Sequence, residues 1–142
     1  MFELREYQEA SVERSLAATD RPIECAPTGS GKTVIQAFIA KRALDAGDGT
    51  AILTPRVEIF RQSHSVLQDV CGVNNVTTLS ATTRNWNPYK PVHIVSWPTL
   101  IARKRKSDAW FPDVRRVLVD EAHLSWPPGC WKCWNTTRPG PL

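Results

Sequence analysis

A glycine-rich loop that ends in lysine and threonine is the strongest chemical feature of this sequence. Residues 26–33 read Ala-Pro-Thr-Gly-Ser-Gly-Lys-Thr. Gly29 and Gly31 can adopt backbone angles that other residues avoid, so the backbone N–H groups of the loop can surround phosphate oxygens. A helix that begins near Lys32 would add its partly positive N-terminus. Lys32 can then reach the β- and γ-phosphates, and the Thr33 hydroxyl can bind Mg²⁺.

The loop has one departure from the general phosphate-loop pattern. That pattern starts with glycine, whereas this chain has Ala26. The alternative interpretation is therefore a simple Gly/Ser turn between a strand and a helix. The intact Gly-Lys-Thr ending favours a nucleoside-triphosphate site.

Two adjacent carboxylates form the second chemical feature. The apolar stretch Val117-Leu118-Val119 leads directly into Asp120-Glu121-Ala122-His123. A buried parallel strand that ends in acids places them at the carboxyl edge of the sheet, where ligands bind. Asp120 suits outer-shell coordination of Mg²⁺, and Glu121 suits polarising an attacking water. Alone, the pair could be a solvated strand end, but with the phosphate loop it indicates nucleotide hydrolysis.

Alternating strands and amphipathic helices must position these two features. The pattern predicts helices over residues 3–18, 32–46, from the proline at 55 to about 70, and from 99. It predicts strands over 21–26, 50–54, 76–79, 92–95 and 114–119, with a polar loop over 81–91. Short apolar strands that alternate with helices indicate an α/β fold with a parallel sheet covered on both faces. The 142 residues suffice for one domain and hardly for two.

Together, these features resemble the first RecA-like domain of a superfamily 2 helicase or translocase of the DEAD/DEAH-box group. The Arg-Glu-Tyr-Gln stretch over 5–8 is similar to phage and bacterial DNA helicases and restriction-enzyme motor subunits. The resemblance covers residues 3 to about 125. It implies a P-loop NTPase α/β fold with helices on both faces of a parallel sheet, incomplete at the C-terminus.

The resemblance also implies ATP and Mg²⁺ as cofactors. It gives catalytic roles to Lys32, Asp120, Glu121 and His123, with His123 coupling the ATP state to the rest of the motor. Gln8, helped by Arg5, would read adenine. The nucleotide-binding residues would be Arg5, Gln8, Pro27, Thr28, Gly29, Ser30, Gly31, Lys32 and Thr33, and the metal-binding ones Thr33 and Asp120.

Two further segments match the motifs that contact nucleic-acid backbones in this group, Thr54-Pro55-Arg56 and Ser96-Trp97-Pro98-Thr99-Leu100. The resemblance implies phosphate contacts from Pro55, Arg56 and Thr99, which position a strand without reading its sequence. The basic run 103–106 is either another backbone contact, led by Arg103, or a solvated helix end. The expected partners are nucleic acid, DNA rather than RNA, and a second RecA-like domain or chain that supplies an arginine finger.

Charge, hydropathy and cysteine content limit the partners and the kinds of protein that fit this sequence. The formal charge of +4 is compatible with a polyanionic partner, and no apolar run approaches the roughly 20 residues needed to span a bilayer. The first residues lack the features of a signal peptide, so we expect a cytoplasmic protein of a bacterium or a phage-infected cell, with no membrane partner. Cys130 and Cys133 lack a second ligand pair, so no zinc site is expected.

The last 17 residues differ from the rest in composition. Residues 126–142 hold three of the six tryptophans and four of the eleven prolines, with no acidic residue. The resemblance implies a helix here, then a strand ending in Ser-Ala-Thr. Codons for 129–135, shifted by two bases, would encode an amphipathic Leu-Leu-Glu-Val-Leu-Glu-Tyr-like helix. We therefore expect a helicase domain over 1–125 and an aberrant, disordered tail over 126–142 that results from a frameshift, which sequencing of the encoding DNA tests.

Two function classes remain open. One is the ATP-binding domain of a helicase or translocase, nearly inactive as this chain alone. The other is a catalytically inactive fragment or accessory nucleic-acid-binding protein that uses Arg56 and residues 103–106. A small P-loop kinase fits poorly, because no segment resembles a lid or a second-substrate pocket.

Overall fold

The computed structural model describes residues 3–20, 22–55, 57–106 and 113–122, without the side chains of 57–59 and 104–106. The helices are α1 (Glu6–Ala17), α2 (Lys32–Asp45), α3 (Val57–Cys71) and α4 (Trp97–Lys106), with a 3₁₀ turn at Val73–Asn75. The strands are β1 (Thr50–Thr54), β2 (Val76–Leu79), β3 (Val92–Ser96) and β4 (Arg116–Val119).

The four strands form one parallel sheet in the order β2-β3-β1-β4. Ile52 in the middle of β1 is in register with Ile94 of β3 and Leu118 of β4. Every residue of β1 and β3 is buried, whereas β4 is half-buried. Because all strands run the same way, their carboxyl ends lie along one edge of the sheet.

Alternate residues of the strands face two different cores. Ile52 and Ile94 pack with α2 and α3 through Ala40, Phe60 and Leu67. On the opposite face, the next residues along the strands pack with α4, in a cluster that contains Leu53, Leu79, Val95, Trp97 and Leu100. The sheet is therefore covered on both faces, as its continuous apolar strands predict.

Helix α1 is attached to α2 by an apolar contact and by charge. Val12 of α1 packs with Ile35 and Ile39 of α2. Beside this contact, the Arg42 guanidinium pairs with the carboxylates of Glu9 and Glu13. The hydrogen bond that Arg42 donates to the Glu9 carboxylate raises the pKa of Arg42. The pairing holds α1 next to the helix that follows the glycine-rich loop.

One predicted strand is absent from the described residues. The sequence predicts a strand over 21–26, but residues 22–26 have no secondary structure, and Ile23 is 84% exposed. A strand exists only where a ladder partner supplies hydrogen bonds. Within the part of the chain that the structure describes, β4 pairs with β1 and no strand pairs with its other edge. The local apolar pattern of this segment was therefore not enough to predict a strand.

The other predicted elements are present, with small differences in their ends. Helix α1 is shorter than the predicted 3–18, and α4 already begins at Trp97. Strand β1 has the predicted bounds, and Gly47, with φ +83°, follows the end of α2. The predicted tail over 126–142 lies outside the described residues.

Candidate functional site

The glycine-rich loop has a backbone that only glycine adopts easily. Gly29 and Gly31 have φ values of +82° and +80°. Between them, the Ser30 N–H donates to the Pro27 carbonyl at 3.2 Å, which closes a tight turn. Helix α2 starts directly after the turn at Lys32. The first N–H groups of α2, which have no partner within the helix, therefore lie at the loop, where an anion would bind.

Two side chains of α1 hold this loop by one carbonyl group. The Tyr7 hydroxyl donates to the Ser30 carbonyl oxygen at 2.8 Å, and Gln8 Nε2 donates to the same oxygen at 3.0 Å. The other end of the Gln8 amide, Oε1, accepts from the Arg5 N–H at 2.9 Å. The Gln8 side chain is buried. Through these two hydrogen bonds, Gln8 links the start of α1 to the loop.

This geometry bears on the adenine contact expected of Gln8. Both polar atoms of its amide contact protein backbone, so the side chain supports the loop. A contact from Gln8 or Arg5 to adenine stays a prediction. Tyr7, which contacts the loop through its hydroxyl, was not among the residues predicted for this site. The ring is 46% exposed, and a tyrosine beside the expected nucleotide residue is the feature that could have indicated its role.

An open pocket of about 470 Å³ lies between α1 and the glycine-rich loop. Arg5, Tyr7, Arg14 and Glu24 line it, together with residues 25–30. Its volume falls within the range of small-molecule sites. Glu24 accepts a hydrogen bond from the Ser11 hydroxyl and lies 4.0 Å from the Arg14 guanidinium, so its charge is partly balanced. The pocket places Pro27, Thr28, Gly29 and Ser30 at one accessible surface.

The acidic pair follows β4 at the carboxyl edge of the sheet. The Asp120 N–H donates to the Leu53 carbonyl at 2.8 Å, which extends the pairing with β1 by one residue. The chain then turns at Glu121, whose φ of +49° is unusual for a residue with a side chain. Such a conformation costs about 1–2 kcal/mol and is found preferentially at functional sites.

A side-chain contact joins this acid to the helix that follows the glycine-rich loop. Gln36 Nε2 of α2 donates to Asp120 Oδ1 at 3.3 Å, across 84 residues of sequence. Thr33 lies three positions before Gln36 and therefore on the same side of α2. The structure thus brings Asp120 beside the helix face that carries Thr33.

The donor groups at this place match the chemistry of a magnesium-nucleotide complex. A threonine hydroxyl and a carboxylate are the hard oxygen ligands that Mg²⁺ prefers, and it commonly takes one or two carboxylates together with phosphate oxygens. At Gly29, an added Cβ would meet no atom within 4 Å, so the loop leaves open space there. The roles of Lys32, Thr33, Asp120 and Glu121 at a shared metal and phosphate stay predictions.

Two of the expected nucleic-acid residues, Pro55 and Thr99, lie near the carboxyl ends of β1 and β3. Thr54 and Ser96, the last residues of β1 and β3, are register partners. Pro55 directly follows the first strand, and Thr99 lies in the first turn of α4. Arg103, farther along α4, is exposed, and its guanidinium lies 5.9 Å from the centroid of the Trp86 ring. Arg56, His123, Cys130 and Cys133 lie outside the described residues.

Trp86 also contacts a buried histidine. Its ring centroid lies 6.0 Å from that of His93, which is 1% exposed. Burial lowers the pKa of His93 to about 4. This histidine is therefore a neutral packing residue at pH 7. Among the described residues, none of the helices combines the length and the apolar character that a membrane-spanning segment requires.

A family model and several known proteins match this chain. The family model of the DEAD/DEAH box helicase matches residues 5–126. Similar relatives include the probable helicase HelY of Mycobacterium leprae, 29% identical over 126 residues, and that of Mycobacterium tuberculosis H37Rv, 28% identical. Each match covers 87% of this chain but only 13% of the relative.

Solved structures show the same fold. The UvsW helicase of bacteriophage T4 has a TM-score of 0.74 at 22% identity, over 95% of this chain and 47% of that one. The Type ISP restriction-modification enzyme LlaGI, as a nuclease-deletion mutant in complex with a DNA substrate mimic, has a TM-score of 0.61 at 17% identity, over 86% of this chain and 15% of that one. The parallel α/β sheet is thus that of a helicase RecA-like domain.

Proposed function

Because the chain belongs to the DEAD/DEAH box helicase family, we propose that it forms the ATP-binding part of a motor that translocates on or unwinds DNA. One observation carries the proposal for the nucleotide site. The hydrogen bond from Gln36 to Asp120 joins the helix of the glycine-rich loop to the acidic end of β4. An ATP-hydrolysing site needs a phosphate-binding loop and a metal-binding acid close to each other, and this contact supports such an arrangement.

In this proposal, each residue at the loop has a distinct task. The backbone of 27–31 surrounds the β- and γ-phosphates, and Lys32 contributes a positive charge there. Thr33 and Asp120 would hold Mg²⁺, which when bound neutralises phosphate charge. Glu121 orients the attacking water, and His123 passes the nucleotide state to the rest of the motor. Most of the rate enhancement then comes from positioning and charge stabilisation.

The nucleic acid would cross the carboxyl edge of the sheet. Pro55, Arg56 and Thr99 would contact phosphates there, and Arg103 would add positive charge nearby. Support for DNA over RNA comes from LlaGI, a similar structure solved with a DNA substrate mimic. These contacts are to the backbone, so we expect affinity that falls with salt and little sequence preference.

We further propose that this domain alone is a weak ATPase. The family's second RecA-like domain supplies an arginine finger, and such a residue is worth roughly 10³–10⁵ in rate. The 142-residue chain should therefore bind MgATP weakly and fail to unwind a duplex by itself.

The test compares Lys32→Ala with Lys41→Ala in the full chain. Both lysines are on α2, but Lys41 pairs with Asp45 away from the glycine-rich loop. A fluorescent ATP analogue should bind wild type and Lys41→Ala alike and bind Lys32→Ala at least tenfold more weakly. Equal binding by all three proteins would refute the nucleotide site.

DNA binding is measured with the same three proteins by fluorescence anisotropy at two salt concentrations. A response of DNA affinity to ATP that Lys32→Ala abolishes would support the motor. Salt-dependent binding that neither ATP nor Lys32→Ala alters would instead indicate an accessory nucleic-acid-binding protein. Stronger binding to RNA than to DNA of the same sequence would overturn the choice of polynucleotide.

A further inference from the structure

Gln36 is a polar side chain on α2 that lies at the junction of the two chemical motifs. Its Nε2 atom donates to Asp120 Oδ1 at 3.3 Å. Its neighbours along the helix, Ile35 and Ala37, are 6% and 0% exposed, so the helix is firmly packed at this point. The amide is thus presented to the carboxylate from a rigid element.

The backbone of Asp120 is already positioned without Gln36. Its N–H is bonded to the Leu53 carbonyl, and β4 is paired with β1 as far as Val119. These contacts fix where the residue lies but not how its carboxylate is rotated. A donor on one carboxylate oxygen restricts that rotation. The side-chain contact from α2 therefore adds an orientation that the sheet cannot provide.

We propose that Gln36 is a positioning residue that orients the Asp120 carboxylate toward the magnesium of a bound nucleotide. The inference rests on the proposed function of the site. An amide suits this role because it is neutral and leaves the negative charge of the carboxylate available to a cation. A lysine or arginine at the same place would compete with the metal for that charge.

The test removes the donor while keeping the size of the side chain. Gln36→Met has nearly the same length and a high helix propensity, and Gln36→Ala is a second variant should the first fail to fold. Gln62→Met is the matched control, because Gln62 is exposed on α3. For each protein, binding of a fluorescent ATP analogue is titrated with Mg²⁺ and repeated in EDTA.

Partners of metal-ligating groups typically change metal affinity by 10–100-fold when they are removed. We therefore expect both Gln36 variants to raise the Mg²⁺ concentration for half-saturation at least tenfold. Their binding of metal-free ATP should change less than twofold, and Gln62→Met should match wild type in both. Equal losses with Mg²⁺ and with EDTA would show a merely structural role and overturn the inference.

Lys32→Ala, measured alongside, separates this inference from the function on which it rests. If Lys32→Ala weakens nucleotide binding while the Gln36 variants titrate with Mg²⁺ like wild type, only the role of Gln36 is overturned. If Lys32→Ala has no effect, the nucleotide site itself is refuted, and the inference fails with it.

Discussion

A methyl group on the second glycine of the glycine-rich loop would collide with the end of the Gln8 side chain, which allows a quantitative prediction. A Cβ at Gly31 would lie 2.4 Å from Gln8 Nε2, whereas a Cβ at Gly29 would meet no atom within 4 Å. The two glycines have nearly the same φ, +80° and +82°. Gly29→Ala is therefore a matched control that carries the backbone strain without the collision.

The expected costs follow from these two differences. Each alanine variant lowers the free energy of unfolding by about 1–2 kcal/mol, because the alanine must adopt the left-handed region. Gly31→Ala additionally displaces the flexible end of Gln8, which breaks its hydrogen bonds to the Ser30 carbonyl and to the Arg5 N–H. Two hydrogen bonds at about 0.5–1.5 kcal/mol each give an extra loss of about 1–3 kcal/mol.

The assay is urea unfolding of the ligand-free protein, followed by circular dichroism. Gly31→Ala should lower the free energy of unfolding by about 1–3 kcal/mol more than Gly29→Ala does. In a Gln8→Ala background, the colliding side chain and its two hydrogen bonds are already absent. The two alanine variants should then lower the free energy of unfolding by the same amount. Equal costs in the wild-type background, or an unchanged difference in the Gln8→Ala background, would refute the described contact between α1 and the loop.

Two further predictions concern side chains outside the loop. Tyr7→Phe removes one of the two donors to the Ser30 carbonyl and should lower the free energy of urea unfolding by about 0.5–1.5 kcal/mol, while Tyr89→Phe, at a 93% exposed position, should have no effect. His93, with a pKa lowered to about 4, is neutral when folded, but in the unfolded chain it binds a proton below its ordinary value of 6.5. Stability should therefore fall as the pH drops from 6.5 toward 4. Between pH 7 and pH 5, urea unfolding should show wild type losing about 2 kcal/mol more than His93→Leu, and parallel losses would contradict the assignment.

Much of the fold was predictable because the signals are local. Strand β1 has the predicted bounds, because the proline that follows the apolar stretch marks the end of the strand. Helix α2 begins at Lys32 as predicted, because glycine at 31 permits the turn before it. The family resemblance likewise depended on short motifs of fixed spacing. The family-model match over residues 5–126 confirms that resemblance.

Contacts between distant residues were decided only by the tertiary structure. The segment 22–26 has an apolar pattern but no strand, because strand formation depends on a neighbour that the segment itself does not encode. The Tyr7 and Gln8 contacts with Ser30 required α1 to pack against α2. The Gln36 contact with Asp120 spans 84 residues and exists because the sheet order places β4 beside β1. Residue types and short spacings thus determine the chemistry available, whereas packing decides which of those groups meet.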